Sequence, residues 1–284
     1  MSFLKRLLSG RSKKPASSLE PPPDRVAAVV AEVEARALPC VRIVGGEGGR
    51  SCLGGAPNIA GAWPRYAGRP LSVIAQLDLE EIRAAGGPDW LPHKGRLLFF
   101  YEIEYSGWGI DPGDLGCFAV RYEPDSGTPE TPPEDLPDDG RWPEYPVTFI
   151  ADISRPDPER LNVKWADLSG KEERELEAAL EAMAPAEPAH HIGGYPDAVQ
   201  NDGMELECQR MTSGVRFEAT TSAEAIGSGG RKGEVTDWRL LLQLDTDNEA
   251  GMMWGDTGRL YFWGREQDAR AGDFSRAWMI LQCY

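Results

Sequence analysis

Apolar positions in this chain follow two patterns. Val26, Val29, Val30 and Val33 repeat at i, i+3, i+4 and i+7, which predicts a helix from Arg25 to about Ala37. Asp24 is placed to cap it and Pro39 to end it. Ser169 followed by Glu172 is a capping-box signature. Leu176, Leu180 and Met183 extend it into a second helix over about 170–184, stopped by Pro185. Elsewhere the apolar residues come in short, mostly apolar runs bounded by turn residues: 41–44, 71–78, 97–100, 238–245 and 260–263. These read as buried strands. Asp78 with Glu81 three residues later predicts a cap on a short helix after the second run. The stretch GGEGGR up to Arg50 reads as a turn, because it has neither a phosphate-loop lysine nor GxGxxG leading into a helix. Seven prolines and a block of acids between residues 124 and 146 predict a long surface loop, a solvated insertion rather than a lid.

Three blocks occur twice in the same order. Gly54-Gly55-Ala56-Pro57 precedes a strand ending Gln76-Leu77-Asp78 and then Gly95-Arg96-Leu97 with aromatics. Gly193-Gly194-Tyr195-Pro196 precedes a strand ending Gln243-Leu244-Asp245 and then Gly258-Arg259-Leu260 with aromatics. The expected fold class is α+β: an internally duplicated unit with mixed or antiparallel strands and a few short helices. The repeats would span about 41–123 and 186–284, joined by the Pro-rich loop and a helix. The folded domain would run over 24–284, behind a basic tail and a Pro-rich linker at 1–23.

These blocks, with Trp63-Pro64, Pro70–Leu79, HHIGGYPDAVQ and LLLQLDTDNEAGMMWGDTGRLYFW, resemble the YwqG-like family, a bacterial domain of unknown function, from about Cys52 to Tyr284. The resemblance implies an α+β fold with internal duplication and brings no catalytic residues with it. Relatives beside bacterial toxin-system genes imply a role in neutralising or accompanying a partner.

Charge narrows the partners. The chain of 284 residues carries a net charge of −16, which opposes binding to nucleic acid and steers basic protein partners. Only the N-terminus departs from this. Residues 1–25 hold six positive and two negative charges, and Phe3, Leu4, Leu7 and Leu8 give 1–14 an amphipathic pattern suited at most to weak peripheral membrane contact. The five cysteines are odd in number and show no CxxC spacing, so reduced, mostly buried thiols in a cytoplasmic protein are expected.

The chemistry-bearing residues are few. Gln76 and Gln243 stand at matching places in apolar strands, as structural amides or as a ligand-reading pair. Only three histidines occur, and the pair His190-His191, beside Tyr195, is the best general-base candidate. Trp254 and Asp256 would supply a ring and a carboxylate to a pocket. The run from Asp245 to Asp256 spaces its acids faintly like a calcium loop. Ala250 stands where that loop needs glycine, however, and a strand precedes it. Gln76, His191, Tyr195, Gln243, Trp254 and Asp256 are therefore candidate binding residues, with no catalytic residue, metal or cofactor assigned. The leading reading is a non-enzymatic cytoplasmic binding protein. Its rivals are an enzyme or small-ligand binder with a pocket between the repeats, using His191 and Asp256, and a membrane-associated protein using 1–14.

Overall fold

A computed structural model describes residues 24–105, 107–125, 127–161, 163, 167–213 and 235–284. The expected tail and linker at 1–23 lie outside them. The helices form where the caps predict. Asp24 accepts the Ala27 N–H to open α1 (Arg25–Ala35), and only Val33 of its apolar stripe is fully buried. Asp78 accepts the Glu80 and Glu81 N–H groups to open α2 (Leu79–Ala84). Ser169 and Glu172 close a reciprocal capping box on α3 (Gly170–Glu181). α4 (Met204–Thr212) and α5 (Glu266–Arg270) complete the described helices. No described helix is long and apolar enough to cross a membrane.

The strands are β1 (Leu38–Gly45), β2 (Ser51–Leu53), β3 (Arg65–Tyr66), β4 (Arg69–Pro70), β5 (Ser72–Asp78), β6 (Arg96–Tyr101), β7 (Phe118–Glu123), β8 (Tyr145–Ser154), β9 (His191–Ile192), β10 (Trp238–Asp245), β11 (Arg259–Arg265) and β12 (Trp278–Gln282). β3 and β4 pair alone. The others form one ten-stranded sheet in the order β12-β11-β10-β9-β1-β8-β2-β5-β6-β7. Every pairing among the described residues is antiparallel.

This corrects the expected α+β class and its mixed strands. β5 and β12 are buried at every position, so each three-stranded meander needs cover on both faces. Much of that cover is the other meander, because the sheet bends round one main core, while a smaller cluster packs Ile59 and Leu71 with Val73, Leu98 and Phe100. Phe99 of β6 meets Phe262 of β11 edge to face at 5.1 Å, and Phe118 of β7 meets Trp278 of β12 at 5.1 Å. The two ends approach at the segment around Trp108, whose carbonyl accepts the Leu281 N–H at 3.0 Å. Gly109 makes that approach possible: its φ is +75°, and a Cβ there would lie 1.7 Å from the Met279 carbonyl oxygen. The repeated blocks thus fall on two arms of one sheet rather than on two packed units. The central β1–β8 pair, which lies outside the matched blocks, joins the arms.

The Pro-rich stretch does run over the surface, held by its own groups. Arg141 donates to the carbonyls of Leu136 and Pro133, and Trp142 Nε1 donates to the Gly251 carbonyl at 2.9 Å.

Candidate functional site

β9 is only two residues long and sits between β1 and β10 at the middle of the sheet. The chain entering it, from Pro185 to His190, passes over Arg42 of β1 and leaves a hollow on either side. The smaller, about 300 Å³, lies toward α3 and is lined by Arg42, Asp152, His191 and Tyr195 with apolar side chains. The larger, about 830 Å³, lies over the ends of β1, β8 and β10.

The two candidate glutamines bond the backbone of neighbouring loops. Gln76 Nε2 donates to the Gly54 carbonyl at 2.9 Å. Gln243 Nε2 donates to the Ala189 carbonyl at 2.6 Å, and its Oε1 accepts the Asp197 N–H at 2.8 Å. Each buried amide pins the loop beside the short strand next to it, β2 or β9. Trp254 belongs to the core, with its ring edges against Tyr101 and Trp142. Asp256 is exposed on a turn and lines neither hollow. Of the six candidates, His191 and Tyr195 meet in the smaller hollow: His191 Nε2 lies 3.0 Å from the Tyr195 carbonyl and donates to it. The Tyr195 ring lies 5.4 Å from the Arg160 guanidinium.

The larger cleft is built from residues outside the six binding candidates: Arg42, Tyr145, His190, Asp247, Glu249 and Arg259. Asp245 and Arg259 are cross-strand partners in register, with Arg259 Nε 3.0 Å from Asp245 Oδ1. The same guanidinium bonds Asp197 and approaches Glu187 at 3.8 Å. Burial works against its charge, but Asp197 and Asp245 outweigh that and hold its pKa above the ordinary range. Asp245 Oδ2 also accepts the Ala189 N–H, and Asp247 Oδ1 accepts the Glu249 and Ala250 N–H groups. The acids that suggested a calcium loop are therefore turn and ion-pair groups. No metal-binding cluster occurs among the described residues. The bond from His190 holds the Asp247 carboxyl below its ordinary pKa. Tyr145 donates to Glu249 Oε2 at 2.8 Å, and that bond pushes the phenol up to about 12.

Neither histidine is placed as a free base. His190 Nδ1 accepts the Asp245 N–H at 2.9 Å, which leaves its proton on Nε2, aimed at Asp247 at 3.3 Å. The His191 ring is buried among backbone carbonyls. The five cysteines are unpaired and buried, and burial pushes Cys40, Cys52 and Cys117 up to about 12, far from nucleophilic.

Burial also holds His191 below its ordinary 6.5. The folded state therefore takes up a proton less readily than the unfolded chain, and the stability this confers is present above pH 6.5 and lost as pH falls. His191→Gln is expected to flatten the decline in unfolding free energy between about pH 6.5 and 5. Urea titrations at several pH values read this directly, and an unchanged slope would refute it.

Two signals could have led to the cleft. Arg42 is the one charge inside the apolar run Val41–Val44, and His190 is as scarce a residue type as the His191 that was preferred. Tyr145 and Glu249, 104 residues apart, carry no shared signal.

The family described as a domain of unknown function (DUF1963) matches residues 51–283. No curated protein matches the chain. The chain belongs to that family, whose description names no activity.

Proposed function

We propose that this member of a family without an assigned activity is a binding module rather than an enzyme, and that its larger cleft receives a cationic group from a basic protein partner. The observation that carries the reading is the charge of the cleft. Asp245, Asp247, Glu249 and Glu187 line it against Arg42 and Arg259, and Arg259 is already ringed by acids. Glu249 and Glu187 are exposed at its mouth, where a lysine or arginine side chain can reach them. The net charge of −16 supports the same partner class by drawing basic surfaces toward the chain. The engaged nitrogens of His190 support binding over catalysis, since a general base needs a lone pair free for its substrate. Unpaired thiols fit a reducing, cytoplasmic setting. A basic toxin acting on nucleic acid is one partner of this chemistry.

The test is calorimetric titration of the full chain with a lysine- and arginine-rich peptide. Replacing Glu249 and Glu187 together by glutamine is expected to weaken binding about tenfold, near 1.4 kcal/mol. Asp256→Asn, at another exposed acid outside the cleft, should change it little. Equal losses from both changes would mean diffuse attraction and no site. Binding of a small metabolite, with the peptide ignored, would favour the small-ligand reading of the same cleft.

A further inference from the structure

β8 is ten residues long, and β2 covers only its first three, Tyr145, Pro146 and Val147. Beyond them, nothing among the described residues pairs with its outer edge. The register shows which groups that edge presents. Ile43 sits opposite Phe149, and the Ile43 N–H points away from β8 to the His190 carbonyl. Opposed residues of an antiparallel pair turn their polar groups inward together or outward together, in alternation. Phe149, Ala151 and Ile153 therefore turn theirs outward, away from β1. The Ile153 N–H is taken up by Asp152 Oδ1 at 2.8 Å, and the Phe149 and Ala151 groups stay open.

Edges left to solvent are commonly blunted by lysine, proline or a bulge. Residues 148–154 contain no lysine or proline, and their register against β1 has no shift. They instead expose Ile150 at 44% and Ile153 at 47%. At the far end of the sheet, by contrast, β12 has its outer edge met by the Trp108 carbonyl.

We infer that the outer edge of β8 is a docking edge for a second copy of this chain, paired antiparallel about Ala151. The edge is self-complementary in that register. Ala151 faces its own equivalent, Phe149 faces the partner's Ile153, and the outward N–H and C=O groups of each copy meet those of the other, apart from the Ile153 N–H that Asp152 already holds. The charges match as well. Arg42 lies beside Ile150 in register, and Ile150 would face the partner's Asp152. Each guanidinium thus comes within two strand spacings, about 10 Å between Cα atoms, of an opposing carboxylate. Arg42 Nε is buried without a hydrogen-bond partner, and its contact with Asp152 of its own chain is a loose 3.6 Å. A single strand pair is smaller than a standard interface, so the dimer is expected to be weak, with Kd on the order of 10 μM.

Sedimentation of the full chain at ~0.15 M salt, which screens its net charge, is expected to show twice the 31.2 kDa chain mass at high concentration. Ala151→Pro removes an outward N–H and spares the β1 ladder, where proline is tolerated. Ile150→Lys plants a gatekeeper charge. Each variant should halve the mass and leave circular dichroism and Tm near the parent values. Amide exchange at Phe149 and Ala151 should be at least ~10-fold slower in concentrated than in dilute parent protein. A monomer at every concentration would overturn the inference, as would a dimer surviving both changes. Protection that ignores concentration would also overturn it, by showing that the chain covers its own edge.

Discussion

Trp254→Ala is expected to lower the unfolding free energy by about 3–5 kcal/mol, the range for deleting a fully buried large aromatic. Trp254 is 2% exposed, and its ring meets Tyr101 at 6.0 Å and Trp142 at 5.6 Å, both edge to face. Those partners come from β6 and from the Pro-rich stretch, so one ring joins three distant segments. Alanine leaves a cavity that the surrounding strands, held by their ladders, cannot close. It also deletes the indole N–H that bonds the Asp245 carbonyl at 3.0 Å. Trp254→Phe keeps much of the packing and loses that bond, and should cost about 1–2 kcal/mol for an unsatisfied buried acceptor plus the smaller ring. Trp108→Ala, at a side chain 40% exposed, should cost less than ~1 kcal/mol. Urea melts of the three variants give the comparison. A loss below ~1 kcal/mol for Trp254→Ala would mean that the sheet repacks there, contrary to this account.

Arg259→Met is expected to cost about 3–5 kcal/mol, because removing one member of a buried ion pair strands the other. Asp245 is 6% exposed, and Arg259 Nε lies 3.0 Å from its carboxylate. Methionine preserves much of the volume, so the loss would come from charge rather than from a void. Arg259→Lys should rescue only part, since an ammonium cannot bridge Asp245 and Asp197 as the forked guanidinium does. Adding Asp245→Leu to Arg259→Met should restore some stability by removing the stranded charge. A double variant no better than the sum of its parts would show that the pair is not coupled. The same substitution should disturb peptide binding in the cleft, because Arg259 shapes its acidic wall.

Local signals were legible where a few neighbouring residues decide the outcome. Asp24, Asp78 and Ser169 cap helices as their spacing predicts, and the matched QLD and GRL blocks pair in register, Asp78 with Arg96 and Asp245 with Arg259. The fold class was not legible, and the reason is physical. A run such as Ser72–Asp78 shows that a strand is buried on both faces, but not whether helices or other strands cover it. The α+β reading left the source of that cover open, and the sheet's own opposite arm supplies much of it. β8 left little trace because its burial alternates irregularly and only two of its ten positions are fully buried. The same limit applied to the site. Gln76 and Gln243 were visible as polar groups in apolar strands, yet their partners are loop carbonyls that only the fold brings near. His190 and His191 were visible as a pair, but only the fold shows that His190 meets Asp247.

The strand order also has a consequence for how the chain reaches this state. β5, β6 and β7 follow one another along the chain, as do β10, β11 and β12, so each arm assembles from near neighbours. β1 and β8 are different: the Ser154 hydroxyl donates to the Leu38 carbonyl across 116 residues. Closing so large a loop is entropically unfavourable until other contacts have shortened it. Sequence separation therefore favours early condensation of the two arms as local units, ahead of the central pair and the cleft that lies across it.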